Sequence, residues 1–578
     1  MRGSDRPTAS GDAERVKELE ARLEVVEGEL ARSRVLLHES ATERQAQAAE
    51  LRGARRELDA LQARRSVRLA LGLSSLGRWL VGVVRPGRAG RRRSGGSVGP
   101  RGGAARSNDQ DEAADAVDPR AFREALLAAV EGTTTDPLHV AIAATGAVPN
   151  LDKTLTSLGW RVSRLGSAAG GRPALDPSVD VVLVASAAVD LRDVPRDPVA
   201  IAWLTEAPER WLDQPWFDEY DIVLAGTDDI ADLVRARSAK VAMILPAAPP
   251  DRAETIRGAL RGWAAATHYG LRVGVPNWGV TERWGDYHFA RALQRSLERS
   301  GHPTRVHFRP DWESPVAARD DVAVHILGLE EAPTRPKQVN ILWQISHPDL
   351  ATPALYDRYD HVFVASDPFA ARMAATAHVP VTPLHQATDP ERFHPDPTGP
   401  AHELLFVANT RRVRRRIVDD LAGTTHDLAV YGRGWRPEFI DPRFVKGDGI
   451  PNDQVGRYYS SAAIVLNDHW DDMRDEGFLS NRLYDALACG AFVISDHIIG
   501  IEAEFDDAVV TYVDRLDLAR LIDRYLADPD ERRQLAVRGR AAVIARHTFD
   551  LRARALHDVA GPLASARPAG IEGVAAAS

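Results

Sequence analysis

AIAWLTEAPERWLDQPWFDEYDIVLAGTDDIADLVRARSAKVAMILPAA (200–248) and NILWQISHPDLATPALYDRYDHVFVASDPFAARMAATAHVPVTPLHQA (340–387) are two copies of one pattern. Trp203 aligns with Trp343, Pro208 with Pro348, Tyr220-Asp221 with Tyr359-Asp360, and Asp228 with Asp367. Each copy reads as a short apolar run, a proline-led turn, a second apolar run, an amphipathic helix and a third run. Short apolar runs separated by helices are the mark of parallel strands buried on both faces. The offset, about 140 residues, is the length of one Rossmann-like unit.

Outward from the repeat, HVAIAA, VDVVLVAS, VAIAWLT, DIVLAG and KVAMILP predict a first α/β unit over 119–266. LRVGVP and NILWQIS predict a second over 270–390, and LLFVAN, DLAVYG, AAIVLND and GAFVISD a third over 391–560. Residues 561–578 read as a flexible tail. A chain of 578 residues is too long for one core, in keeping with several units. Its net charge of -9 gives no global pull toward nucleic acid, and none is expected as a partner. The single cysteine, Cys489, excludes a disulfide framework and fits a reducing compartment.

The N-terminal part is of another kind. Heptad a positions over 12–65 fall on Val16, Leu23, Leu30, Leu37, Arg44, Leu51 and Leu58, which predicts a coiled coil and a homo-oligomer. Residues 66–93 join an apolar stretch to a cluster of arginines, the pattern of an amphipathic segment held at an anionic membrane surface. Residues 94–118 read as a flexible linker. The first residues lack an apolar secretory core, and Arg78 interrupts the longest apolar candidate, Leu69 to Val84. The expected location is therefore cytoplasmic, peripheral on the inner face of the cell membrane.

The stretch richest in chemistry is DEGFLSNRLYDALACGAFVISD (475–496). It reads as a loop, a helix capped by Ser480 or Asn481 and ending at Cys489-Gly490, and a buried strand. A helix N-terminus suits a diphosphate, Arg482 in the first turn can fork onto a phosphate, and Asp485 can accept hydrogen bonds from ribose hydroxyls. The plainer reading is an ordinary turn with an Arg482–Asp485 surface ion pair. No G-x-x-x-x-G-K-[ST] loop occurs, and Gly432-Arg433-Gly434 lacks the third glycine of a dinucleotide site.

This segment resembles the donor-binding signature of group 1 glycosyltransferases, and Ser480-Asn481-Arg482 with Tyr484-Asp485-Ala486 is similar to the spore-maturation-type (CgeB-like) branch. The family spaces two glutamates with seven residues between. Here Glu476 and Asp485 have eight between and the second acid is Asp. VTPLHQATDPERFHP, from Val381, resembles the link between the two domains of the GT-B fold, with Asp389, Arg392 and Phe393 in place. The resemblance implies a GT-B pair of tandem Rossmann-like units, preceded by a degenerate Rossmann-like unit and the coiled coil. It also implies that Thr410, Arg411 and Arg415, in LLFVANTRRVRRRIVDDL from Leu404, approach the donor phosphates, with Glu476, Ser480, Asn481, Arg482 and Asp485 completing the donor site.

The acceptor side falls on the loop NWGVTERWGDYH (277–288) and on His347. Glu282, Asp286 and His347 are the candidate catalytic groups, while Trp278, Trp284 and His288 are candidates to hold the acceptor. Ordinary loop hydrogen bonding is the plainer account of each. No metal and no cofactor are expected, the arginines meeting the diphosphate. The function so implied is transfer of a sugar from a nucleotide-sugar donor to a glycan or lipid-linked acceptor in cell-surface polysaccharide or glycoconjugate synthesis. An inactive GT-B scaffold and a nucleotide-sugar epimerase are the alternatives.

Overall fold

The computed structural model describes residues 118–567, apart from 145–147, 149, 166–175, 195, 247 and 411–413. The coiled coil of 12–65, the basic segment of 66–93, the linker up to 117, and Arg411 lie outside the described residues. Among the described residues, 407–422 and 430–449 form one compact unit and the rest another.

Three six-stranded parallel sheets carry the fold. The first takes β1 (His139–Ala143), β2 (Arg161–Arg164), β3 (Val181–Val184), β4 (Val199–Leu204), β5 (Ile222–Ala225) and β6 (Ala242–Ile244) in the order β2-β1-β3-β4-β5-β6. The second takes β7 (Tyr269–Arg272), β8 (Thr304–His307), β9 (Val322–Leu327), β10 (Val339–Gln344), β11 (His361–Val364) and β12 (Val381–Pro383) in the order β12-β11-β10-β9-β7-β8. Read from its other edge, that is the topology of the first. The third takes β13 (Leu404–Val407), β14 (Leu428–Tyr431), β15 (Val445–Gly447), β16 (Ile464–Asn467), β17 (Val493–Asp496) and β18 (Val510–Tyr512) in the order β15-β14-β13-β16-β17-β18. That is the 3-2-1-4-5-6 order of dinucleotide-binding folds.

The duplication extends to hydrogen bonds. The Ala200 N–H, opening β4, donates to Asp221 Oδ2 at 2.9 Å, and the Asn340 N–H, opening β10, donates to Asp360 Oδ2 at 2.7 Å. The His139 and His268 N–H groups, at β1 and β7, donate to Asp180 and Asp321, both at 2.9 Å. An aspartate ahead of each neighbouring strand thus satisfies a backbone donor that the parallel ladder leaves over. Ala207 and His347, just before the paired prolines, both adopt the left-handed conformation, with φ of 47° and 55°. A non-glycine residue there costs free energy unless its surroundings fix it.

The first sheet is docked on the second by buried charge. Arg305 forks onto Asp221 with contacts of 2.5 and 2.6 Å, Arg123 reaches Asp321 at 2.5 Å, and Lys240 bonds Glu298. Such pairs hold register more than they add stability, and removing one partner leaves a buried charge uncompensated. Helix α1 (Gly285–Arg299) lays Phe289, Ala290, Leu293 and Leu297 on the second sheet. Helix α2 (Asn481–Ala488) buries Leu483, Tyr484, Ala486, Leu487 and Ala488, then stops at Gly490, whose φ is 71°. Helix α3 (Phe549–Ala566) does not stay with the third sheet. Its Phe549, Ala553, Leu556, Ala560 and Ala564 join the core of the second. It runs past residue 561, where the sequence reading starts a tail. No described helix is long and apolar enough to cross a membrane.

In the smaller unit, the Gly432-Arg433-Gly434 pair has a steric cause. A Cβ on Gly432, where φ is 151°, would stand 1.9 Å from the Ala408 carbonyl oxygen, and one on Gly434 would stand 2.8 Å from Thr410 Oγ1. The glycines let two loops touch.

Candidate active site

Carboxyl ends of parallel strands are where α/β proteins gather their chemistry, because loops and helix N-termini meet there. In the third sheet, β16 and β17 end side by side, and α2 starts above them. A chain of buried hydrogen bonds fixes that start. The Arg482 guanidinium donates to Asn467 Oδ1 at 2.7 Å, and Asn467 Nδ2 donates to Ser495 Oγ at 2.9 Å. Ser495 Oγ donates to Asp496 Oδ1 at 3.1 Å, and His469 Nδ1 lies 2.7 Å from the same oxygen. The Ser480 N–H then donates to His469 Nε2 at 3.0 Å. An Nε2 that accepts leaves a ring proton on Nδ1, facing Asp496, which sets the orientation of the imidazole. Burial raises the Asp496 carboxyl, but the hydrogen bonds from His469 and Ser495 outweigh it and hold the group below the usual carboxylate range.

Ser480 is the N-cap residue of α2, yet its side chain makes no capping bond; the cap is the backbone contact to His469. Arg482 is turned into the network and packs over Phe406 at 5.2 Å, rather than pairing with Asp485. Asp485 takes other partners. It accepts from Thr388 Oγ1 and from Asn481 Nδ2, each at 2.8 Å. Burial pushes its carboxyl up to about 7, and the neighbouring Asp389 charge pushes the same way. Asn481 Oδ1 is buried with no hydrogen-bond partner. A carboxyl near neutrality beside an unused acceptor can take up a donor group such as a ligand hydroxyl.

Thr388 lies where the chain crosses between the second and third sheets. Its N–H donates to the His547 carbonyl at 2.9 Å, and the Phe549 N–H donates back to Thr388 at 3.1 Å. The two strands of the crossing therefore lie side by side, with Asp485 pinned beneath them. The Glu476 carboxylate pairs with Arg372 at 2.6 Å, and its carbonyl accepts from Ser366. In the smaller unit Thr410 is fully buried and donates to the Gly434 carbonyl at 3.1 Å. Arg415 is buried there too, its guanidinium 3.5 Å from the Asn409 carbonyl.

The second sheet brings Asp286 and His347 to one edge. Asp286 stands in the first turn of α1, and a Cβ built on Gly328, next after β9, would meet its Oδ2 at 3.0 Å. His347 follows β10, the neighbour of β9. Glu282 is exposed and lies 3.9 Å from His288 Nε2. Burial, then the Arg392 charge, lowers the basicity of His288. Trp278 and Trp284 pack against the core of the second sheet, and Trp278 sits 4.6 Å from Phe308, ring centre to ring centre.

Three groupings escaped the sequence reading. The first is the Asn467, His469, Ser495 and Asp496 network, although AAIVLND ends in Asn467-Asp468 with His469 next, GAFVISD ends in Ser495-Asp496, and a strand's carboxyl end is the signal to look for. The second is Thr388 on Asp485, a contact between residues 97 positions apart. The third joins His347 to Asp349 and Asp472, whose ligating atoms all lie within 4.8 Å of one another and could hold a divalent cation.

Residues 411–558, which contain α2 and its network, match a family described as glycosyl transferase-like. No curated protein is detectably similar to the chain. Among solved structures, T4 phage BGT in complex with its UDP-glucose substrate superposes with a TM-score of 0.37 at 10% identity, over 51% of this chain and 99% of that one. Anabaena Alr3699/HepE in complex with UDP-glucose gives 0.35 at 12%, over 50% and 99%. An alpha-glucosyltransferase in complex with UDP and a 13-mer DNA gives 0.39 at 10%, over 51% and 100%. Similarity at this level carries no argument about substrate or mechanism.

Proposed function

We propose that the protein transfers a sugar from a nucleotide-sugar donor to a glycan or lipid-linked acceptor. The observation that carries this reading is the coincidence of the glycosyl transferase-like match over 411–558 with the segment whose N-terminal helix turn is fixed by buried hydrogen bonds and holds an acidic group poised near neutrality. On this reading the donor diphosphate lies at the N-terminus of α2, where the helix dipole and backbone N–H groups favour negative charge. Asp485 accepts from ribose hydroxyls. Arg482, held at the helix start by Asn467, brings positive charge to the diphosphate. Asp286 or His347 takes the acceptor proton if the anomeric centre inverts.

Turnover on this account needs no metal ion, because helix N–H groups and guanidinium groups offset the leaving charge. Residues 12–65 self-associate, and residues 66–93 attach the chain to an anionic membrane surface, confining it to the plane of a lipid-linked acceptor. The test of the donor reading is calorimetric titration of the full chain with UDP, GDP and ADP. Saturable binding of one of them, weakened when Asp485 is changed to Ala, is the expected result. No binding of any would leave the scaffold alternative standing and overturn the proposal.

A further inference from the structure

A cavity of about 310 Å³ opens at the junction of the first and second sheets. Its walls come from both. Arg192 and Arg196 belong to the connection between β3 and β4, Trp216 and Glu219 to that between β4 and β5, and Trp278 and Asp311 to loops at the carboxyl side of β7 and β8. The third sheet, which carries the donor segment, contributes no residue to this lining. The junction is firm, since Arg305–Asp221 and Lys240–Glu298 are buried ion pairs across it. The cavity is therefore a built feature of the docked pair, in the size range of pockets for small organic ligands.

The chemistry of the wall narrows the ligand. Two indoles, Trp216 and Trp278, arrive from opposite partners of the junction, and aromatic faces of this kind take the apolar face of a ring. The Arg192 guanidinium lies 3.8 Å over the Trp216 ring and is paired with Asp190 at 2.6 Å. Arg196 is paired with Glu219 at 2.5 Å. Each cation is already matched by a carboxylate, so the pocket offers a phosphate little net attraction. Within the wall, Trp216 Nε1 and Glu219 Oε1 are buried without hydrogen-bond partners, and Arg291 stands 3.7 Å from Glu219 Oε1. An unused donor beside an unused acceptor matches hydroxyl groups, which both give and receive.

We infer that this pocket binds a neutral pyranose ring of the acceptor glycan, so that the first α/β unit serves as half of an acceptor subsite rather than as a spent copy. The inference rests on the glycosyl-transfer reading for the word acceptor, but the pocket is tested by itself. The experiment is saturation-transfer NMR on the full chain with glucose, galactose, mannose and N-acetylglucosamine, with uridine as comparator, alongside nucleoside diphosphate titration. The expected result is transfer to the ring protons of at least one pyranose. In Trp216→Ala its affinity is roughly 3- to 10-fold weaker, the worth of one aromatic contact, while nucleoside diphosphate affinity is unchanged. Trp216→Phe keeps an apolar ring and falls between the two, which preserves the ranking should the alanine variant not fold. No pyranose signal, an unaltered affinity in a folded Trp216→Ala, or a Trp216-dependent signal from uridine alone would overturn the inference. Where nucleoside diphosphate still binds, only this inference falls; where it does not, the donor reading falls with it.

Discussion

Asp485→Asn separates a ligand-accepting carboxylate from a structural one. In the free protein the carboxyl is pushed up to about 7 by burial and by Asp389, while Thr388 and Asn481 hold its two oxygens. Ribose hydroxyls need the ionised form as acceptor. Between about pH 6 and about pH 8 the ionised fraction rises from roughly a tenth to roughly nine-tenths, so affinity for the nucleotide-sugar should climb about tenfold, or about 1.4 kcal/mol. A nucleotide-sugar is the right ligand, because its substituted diphosphate does not titrate in this window. The amide variant loses charge-assisted hydrogen bonds worth roughly 1.5–3 kcal/mol and binds weakly with a flat profile. Stability moves the other way. A folded carboxyl raised above its unfolded value of about 3.9 binds its proton more tightly in the native state. Wild-type stability is therefore greatest below about pH 4, falls as pH rises from about pH 4 to about pH 7, and carries the full penalty above about pH 7. That penalty is on the order of 4 kcal/mol and is absent from Asp485→Asn. Calorimetric binding and urea unfolding across the pH range read both effects. A flat wild-type binding profile, or an equal slope in the variant, would refute the role of Asp485.

The buried network predicts that His469→Ala costs about 2–4 kcal/mol in urea unfolding, since Asp496 loses one of its donors and the Ser480 N–H its acceptor; a loss under about 1 kcal/mol would show that the network is not what fixes α2. Turnover is expected to survive EDTA, and restoration by Mg²⁺ or Mn²⁺ of activity lost on chelation would assign His347, Asp349 and Asp472 to a required cation. The full chain is expected to float with liposomes containing anionic lipid, whereas a chain beginning at residue 119 does not; equal flotation of the two would contradict the role given to 66–93.

The strongly apolar runs were legible because a strand buried on both faces leaves few alternatives. HVAIAA, VAIAWLT and NILWQIS became strands within a residue or two of their ends, and GAFVISD did so from its fourth residue, Val493. β2 was not legible: Arg161–Arg164 is an edge strand with no buried residue, and RVSR carries no apolar run. The shared handedness at Ala207 and His347 lay hidden in the repeat, since sequence aligns the prolines but does not report φ. At the candidate site, local sequence placed the start of α2, because capping and helix propensity act over a few residues. It did not place the partners. Thr388 meets Asp485, His469 meets Asp496 and Arg482 meets Asn467 through tertiary packing. Docking of α3 on the second sheet is long-range in the same way, and nothing in its own sequence names the sheet it covers.

Mass spectrometry of the purified full chain incubated with a panel of nucleotide-sugars tests sugar transfer most directly. The account predicts that one donor is consumed with release of its nucleoside diphosphate, and that the loss is abolished or strongly slowed in Asp485→Ala. A panel in which every nucleotide-sugar remains intact, or in which a donor is converted to an isomer of the same mass with no nucleotide released, would contradict it.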